Sequence, residues 1–436
     1  MRSSAAIVLL LWQFGSAAAP SPSRHLRYQR EILLPRLAAG QTCVALDRTV
    51  FAHTESAGAG DVRIYGRDGQ HEFNVPFALT ESGPASLEPQ QATAGNVALR
   101  QGALTFDLSM PAGGYSEVDL DLKAKNFLGV AEVSGVAAHG RATALGTFPV
   151  FDLTGQGLAR STVLALHDVS YPVLHIELRL TDLEGRPMTV EPSLISGATV
   201  PPGREDQTLY TTVASVSKIE QQGHWSIATM VLPPHVPIER ARFVLQPEFH
   251  NDFLRDATIA ATPMDTGLAA LGAAEGVSGH IFRVVRSAIA GVPAIDSKAL
   301  AINTVIGANL RSPAKVTASV DNGSAEPLPI ARVDLQMRER KLCFEARPGT
   351  TYTLRYGDAE LSGPSYSYAR HFVPAVQPMI GALGPEQRNP MYVPAGADQQ
   401  QRSPGRDLPW VLLIAGISVA GVIALQYVRH RREGIG

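Results

Sequence analysis

Leu174-His175-Ile176-Glu177-Leu178-Arg179-Leu180 carries an apolar side chain at every second position. A period of two belongs to a strand with one face on a core and the other in water, because successive Cβ atoms point to opposite sides of the pleat. The same alternation runs through Leu104-Thr105-Phe106-Asp107-Leu108-Ser109-Met110 and Glu117-Val118-Asp119-Leu120-Asp121-Leu122-Lys123. It returns in Val333-Asp334-Leu335-Gln336-Met337-Arg338. Turn chemistry falls between such runs: Arg67-Asp68-Gly69 follows Val62–Tyr65, and Asp321-Asn322-Gly323 follows Lys315–Val320. No segment between the two ends sustains a helical stripe. Glycine (39) and proline (31) make up 70 of 436 residues, above the roughly 12% of an average chain, which suits a turn-rich β protein. The expected fold class is all-β: tandem antiparallel β-sandwich domains, jelly-roll-like, with a single C-terminal transmembrane helix.

Three β pieces separate along the chain: an N-terminal β module at 24–85, a first sandwich at 96–190 and a second at 207–372. The Pro-, Gly- and Ser-rich stretch 191–206 reads as a linker. Residues 374–407, with repeated Pro and Gly and the run Gln399-Gln400-Gln401, read as a flexible stalk. The two sandwiches share a pattern. Asp119–Leu122 leads into Asn126-Phe127-Leu128 and a strand at Val130–Val133; Ala241–Leu245 leads into Asn251-Asp252-Phe253-Leu254 and a strand at Ala257–Ala260. Each is followed by a further strand pair. The pattern predicts a duplicated domain, with chance resemblance among alternating segments as the competing account.

The ends of the chain address a membrane. Met1-Arg2-Ser3-Ser4, an apolar run from Ala5 to Trp12 and the small residues Gly15–Ala19 have the order of a secretory signal peptide (1–19). Residues 408–428 carry no formal charge, span about 30 Å as a helix, and end in Trp410 and Tyr427 at interfacial positions. Arg429, His430, Arg431 and Arg432 follow, so the tail 429–436 is expected in the cytoplasm. The expected localisation is the cell inner membrane: single-pass, ectodomain in the periplasm, the lipid bilayer engaged through the C-terminal helix.

Net charge is −2 and 18% of residues are charged, so no basic field argues for nucleic acid. The two cysteines, Cys43 and Cys343, can form one long-range bridge in an oxidising compartment or lie as two separate buried thiols. They provide no thiolate zinc site, and no pair of histidines has metal-ligand spacing, so neither metal nor cofactor is expected. There is no Gly-x-Ser-x-Gly elbow, His-Glu-x-x-His or phosphate loop, and Gly58-Ala59-Gly60 lacks the helix a dinucleotide site requires. Asp119 and Asp121 mimic a glycosidase carboxylate pair but alternate with leucines, which reads as the wet face of a strand. Trp225 is either a sugar-stacking ring or a buried strand tryptophan. His250-Asn251-Asp252 is the densest polar cluster, and such residues commonly cap a turn. The candidate binding residues are Asn126, Asn251, Asp252 and Arg255. They occupy equivalent places in the two repeats and combine amide, carboxylate and guanidinium groups.

Five stretches carry a family resemblance: Tyr28-Gln29-Arg30, Asp61-Val62-Arg63-Ile64-Tyr65, Pro237-Ile238-Glu239-Arg240, Asn251-Asp252-Phe253-Leu254-Arg255 and Tyr352-Thr353-Leu354-Arg355-Tyr356-Gly357. In these and in its order of elements the chain resembles the bacterial envelope family known as domain of unknown function 3999. That family's function is itself unknown, and the resemblance implies a polytopic inner-membrane partner. The two sandwiches also resemble galactose-binding-like modules, a fold that often binds carbohydrate or a partner protein. The expected function is therefore a membrane-anchored extracytoplasmic binding or scaffolding protein of the bacterial cell envelope, engaging glycan or a partner membrane protein, and not an enzyme. The alternative is an envelope hydrolase acting on glycan through a site assembled from distant residues.

Overall fold

The computed structural model describes residues 24–394 apart from 36–38, 57, 84–87, 202–207, 266–274, 290 and 376. The expected signal peptide, transmembrane span and basic tail lie outside these residues, as does the stalk beyond residue 394. Among the described residues no helix is long and apolar enough to cross a membrane. The molecule is all-β, in three units.

The first unit is built from both ends of the described chain. Its N-terminal strands are β1 (Tyr28–Leu33), β2 (Gly40–Ala45), β3 (Arg63–Asp68), β4 (His71–Val75) and β5 (Phe77–Glu81). Its C-terminal strands are β25 (Arg340–Ala346), β26 (Thr351–Tyr356), β27 (Met379–Leu383) and β28 (Gln387–Arg388). They lie in the order β4-β3-β26-β1-β27-β2-β25-β5, with β28 beside β1. Short helix α1 (Arg48–His53) is capped by Asp47, whose Oδ1 accepts from the Thr49 and Val50 amides while Oδ2 pairs with Arg30 at 2.6 Å. Three of the stretches that carry the family resemblance, at Tyr28, Asp61 and Tyr352, fall in or beside the adjoining strands β1, β3 and β26.

This corrects two sequence expectations. Residues 340–356 do not belong with the sandwich placed at 207–372, and Met379–Leu383 is a strand of the first unit rather than part of a flexible stalk. Alternation fixes which face of a strand is buried, whereas the sheet it joins depends on register, which is long-range here: Arg30 opposes Leu354. Cys43 and Cys343 oppose each other in the β2–β25 pair and are disulfide-bonded, with Cα atoms 4.1 Å apart. The ends of the described chain also meet, since the Val393 amide donates to the Arg24 carbonyl at 2.8 Å.

The second unit holds β6 (Gln90–Arg100), β7 (Ala103–Ser109), β8 (Tyr115–Leu122), β9 (Phe127–Val136), β10 (Ala142–Asp152), β11 (Arg160–Ser161), β12 (Val163–Val169), β13 (Val173–Thr181) and β14 (Ile195–Val200). The third holds β15 (Tyr210–Val216), β16 (Ile219–Gln222), β17 (Trp225–Leu232), β18 (Ile238–Leu245), β19 (Phe253–Pro263), β20 (Glu275–Arg286), β21 (Ile295–Ala299), β22 (Ala301–Ile306), β23 (Ala314–Asp321) and β24 (Ile330–Arg338).

Their strand orders coincide. In the second unit the larger sheet runs β11-β10-β9-β13-β7-β6 and the smaller continues from β6 through β14-β8-β12; in the third they run β21-β20-β19-β23-β17-β16 and β15-β24-β18-β22. Long strand β6 serves both sheets, with Gln90–Ala92 against β14 and Thr93–Arg100 against β7; in the third unit that job is divided between β15 and β16. The weak sequence repeat is thus a shared topology. Phe127 and Phe253 open the equivalent strands β9 and β19 and are both buried.

The second unit has its own core around Phe106, Phe127, Leu120 and Ile176. The first and third share one cluster, running from Phe51 and Phe344 to Phe243 and Val333. A small apolar cluster of Leu128, Phe151 and Leu153 with Val284, Val292 and Ile295 joins the second unit to the third.

Candidate functional site

Asn126 and Asp252 sit near that junction with side-chain oxygens already engaged. Asn126 adopts a left-handed backbone (φ 52) and its Oδ1 accepts from the Gly155 amide at 2.9 Å, closing the turn before β9. Asp252 accepts from the Val285 amide at 2.7 Å and pairs with Arg286, which in turn donates to Gln156 of the second unit at 3.1 Å. Arg255 donates to the Leu254 carbonyl at 2.8 Å, and its buried Nε has no partner among the described residues. Asn251 is exposed. The structure therefore brings Asn126 and Asp252 to neighbouring parts of one interface, where they fasten loops and strands. Trp225 is half-buried at the start of β17, its ring 5.0 Å from that of His224.

The loop that carries Asn251 has a second face. Beyond Leu245 the chain turns through Gln246-Pro247-Glu248-Phe249-His250, held by the Gln246 amide on Pro329 and the Phe249 amide on Gln246. This loop, the end of β18, and facing parts of β20 to β22 enclose a cleft of about 470 Å³. Arg240 and Arg242 enter it from alternate positions of β18, Arg283 from β20 and Lys298 from β21; Phe249 and Leu300 supply apolar surface.

Arg283 is fixed in place. Its Nη1 donates to the Phe249 carbonyl at 2.9 Å and faces His250 Nδ1 at 3.2 Å, a contact in which the ring nitrogen accepts. Its Nη2 reaches Asp296 at 3.2 Å. The side chain is only 14% exposed, and its Nε, like that of Arg240, is buried without a partner among the described residues. Arg240 also stacks over the Tyr210 ring at 4.7 Å. Lys298 lies directly opposite Arg283 in the β20–β21 ladder. Sequence inspection missed this cluster. Arg240 and Arg242 are alternate residues of β18, and only the register of the ladders brings Arg283 and Lys298 to them.

A smaller cleft of about 310 Å³ in the second unit is lined by Asp119, Asp121, Lys123, Arg160, Thr162 and Ser196. Here Asp119 accepts from the Thr162 hydroxyl, and Arg160 pairs with Asp152 at 2.8 Å while donating to the Ala124 and Leu122 carbonyls. Burial opposes ionisation of Asp152, yet hydrogen bonds from Thr154 and Arg160 hold its carboxyl below the usual aspartate value. Asp119 and Asp121 thus line a recess, Asp121 on the exposed face that the alternation predicted.

No family model and no curated protein matches the chain. Among solved structures it aligns with infectious bursal virus-derived T=1 particles at 12% identity, over 90% of this chain and 87% of that one, with a TM-score of 0.17. It aligns with the CBM22-1–CBM22-2 tandem domain of Paenibacillus barcinonensis Xyn10C at 9% identity, over 62% and 98% of the two chains, with a TM-score of 0.16. Against truncated AlyQ with CBM32 and alginate lyase domains the identity is 7%, the coverage 64% and 98%, and the TM-score 0.17. Scores this low assign no fold, and the site is read from its own geometry.

Proposed function

We propose that this chain is a membrane-anchored extracytoplasmic binding protein of a bacterial cell envelope, whose third unit engages glycan. The observation that carries the reading is the cleft beside β18: about 470 Å³, with guanidinium, ammonium and amide donors around the apolar surfaces of Phe249 and Leu300. A sugar ring needs that mixture, hydrogen-bond donors for its oxygens and an apolar face for its C–H groups. Glycoside hydrolysis calls for a pair of carboxyl groups flanking the bond. None of the described residues lining this cleft is Asp or Glu, which supports binding over the hydrolase alternative. The Cys43–Cys343 bridge suits an oxidising compartment, in keeping with the signal peptide expected at 1–19. Anchoring rests on the apolar run 408–428, and the polytopic membrane partner on the family resemblance.

The reading is tested by probing a glycan array with detergent-solubilised full-length protein, alongside crosslinking in native membranes. Selective capture of one glycan class is expected. Crosslinks to a polytopic protein with no glycan retained would replace glycan binding by scaffolding. N-terminal sequencing and protease protection of spheroplasts check the anchor: an uncut Met1, or a tail digested from outside, would overturn the topology.

A further inference from the structure

The ladders align the two clefts residue by residue. Phe127 opposes Asp152, which opposes Arg160; in the third unit Phe253 opposes Arg283, which opposes Lys298. On the other sheet the Leu120 amide donates to the Thr162 carbonyl, and the Phe243 amide donates to the Leu300 carbonyl. These matched bonds make Phe243 the counterpart of Leu120, and so Arg242 the counterpart of Asp119. Arg283 stands where the second unit has Asp152, and Lys298 where it has Arg160.

The matched positions therefore differ in charge between the two units. Asp119, Asp152 and Arg160 sum to −1, whereas Arg242, Arg283 and Lys298 sum to +3. In the second unit the buried carboxylate of Asp152 faces its own cation, and Asp119 takes the Thr162 hydroxyl. In the third unit the carboxylate is gone. Arg283 keeps only the half-exposed Asp296, and Arg242 and Lys298 make no ion pair among the described residues. Like charges directly opposite in an antiparallel pair destabilise a sheet. Here they converge on a cavity large enough for a ligand, with Arg283 locked by Phe249 and His250.

From this we infer that the third unit's cleft binds an acidic glycan, with a sugar carboxylate held by Arg242, Arg283 and Lys298 and the ring against Phe249 and Leu300. The inference rests on the glycan reading above and narrows it to a charge class. The chain as a whole carries a net charge of −2, so the cleft's cations are not part of a general basic excess. Nucleic acid would require a basic face far wider than one cavity. A planar guanidinium fork matches a carboxylate, and removing water from one flank of the pair strengthens it.

The experiment is calorimetric titration of the full chain in detergent with hexagalacturonate and with its fully methyl-esterified, uncharged form. The acid should bind and the ester should not, and raising the salt concentration should weaken the acid further. Lys298→Ala should weaken binding about tenfold, and Arg242→Asp, which installs the second unit's residue, by more. Lys125→Glu, a charge change on the exposed loop of the second unit, should leave affinity unchanged. Melting temperatures of Lys298→Ala and Arg242→Asp should match the parent's, since both side chains are exposed. Equal binding of acid and ester, indifferent to these variants, would overturn the charge inference and keep the glycan reading. Failure of both probes to bind, with the protein folded by its melting curve, would overturn the acidic-glycan inference, and the glycan array then decides the broader reading.

Discussion

Breaking the Cys43–Cys343 bridge should destabilise the first unit far more than an ordinary surface disulfide would. The cysteines are 300 residues apart in sequence, and everything between β5 and β25, including both duplicated units, lies inside the closed loop. In the chain-entropy account a fully unfolded loop of that length corresponds to about 5–6 kcal/mol at 25 °C. That is a ceiling, because the duplicated units can stay folded and shorten the effective loop. A floor is the value for a loop of some fifteen residues, about 3 kcal/mol. The first and third units share one apolar cluster and should melt together. For a cooperative block of that size each kcal/mol moves the midpoint by about 2–4 °C, giving a drop of roughly 6–24 °C. Differential scanning calorimetry of the full chain with and without reductant measures it, and Cys43→Ala/Cys343→Ala checks that the lost bond is responsible. The second unit has its own core, and its transition should stay in place. An unmoved transition of the first and third units in both the reduced protein and the double variant would refute the view that this bond holds the two ends of the chain together.

Other tests follow from buried charge and packing. Glu72 accepts from both Nη atoms of Arg355, at 3.0 and 2.8 Å, and Arg355 is only 3% exposed; Glu72→Ala should cost about 3–5 kcal/mol in urea unfolding by stranding that cation. The Arg355 hydrogen bond also holds the Glu72 carboxyl below its ordinary value of 4.5. A depressed folded-state value means its contribution is complete above pH 4.5 and lost as pH falls through the depressed value, so urea midpoints should decline below pH 4.5, and Glu72→Ala should flatten that decline. Phe253→Ala empties the equivalent of Phe127's place in the core and should lose about 3–5 kcal/mol. Asp252→Ala, which frees Arg286 and the Val285 amide, should lose about 1–3 kcal/mol while leaving ligand capture unchanged; lost capture at full stability would return the site to the Asn251–Arg255 loop.

Much of this architecture was readable from residue order, and the limits were physical. Alternation in Leu174–Leu180 and Glu117–Lys123 identified β13 and β8 because a strand's two faces are a local property. The repeat was visible because Phe127 and Phe253 each follow a polar turn and open a core strand. What stayed hidden was partnership. Tyr352–Tyr356 reads as a strand, yet nothing local says that it pairs with Tyr28–Ile32 across the whole length of the inserted units. The short apolar run Met379–Leu383 was masked by surrounding Pro and Gly. The cleft had the same obstacle. Arg242, Arg283 and Lys298 are scattered in sequence and meet only through the ladders of β18, β20 and β21, while the conspicuous polar cluster at His250–Asp252 divides its work. His250 faces the cleft and Asp252 ties the units together.

The most direct test of the account is a crystal structure of the full chain grown with hexagalacturonate. A sugar carboxylate is expected within hydrogen-bond reach of Arg242, Arg283 and Lys298, with a ring against Phe249 and no ligand in the Asp119–Arg160 recess of the second unit. Ligand seated in that recess, or at the Asn126 turn with the third unit's cleft empty, would contradict it.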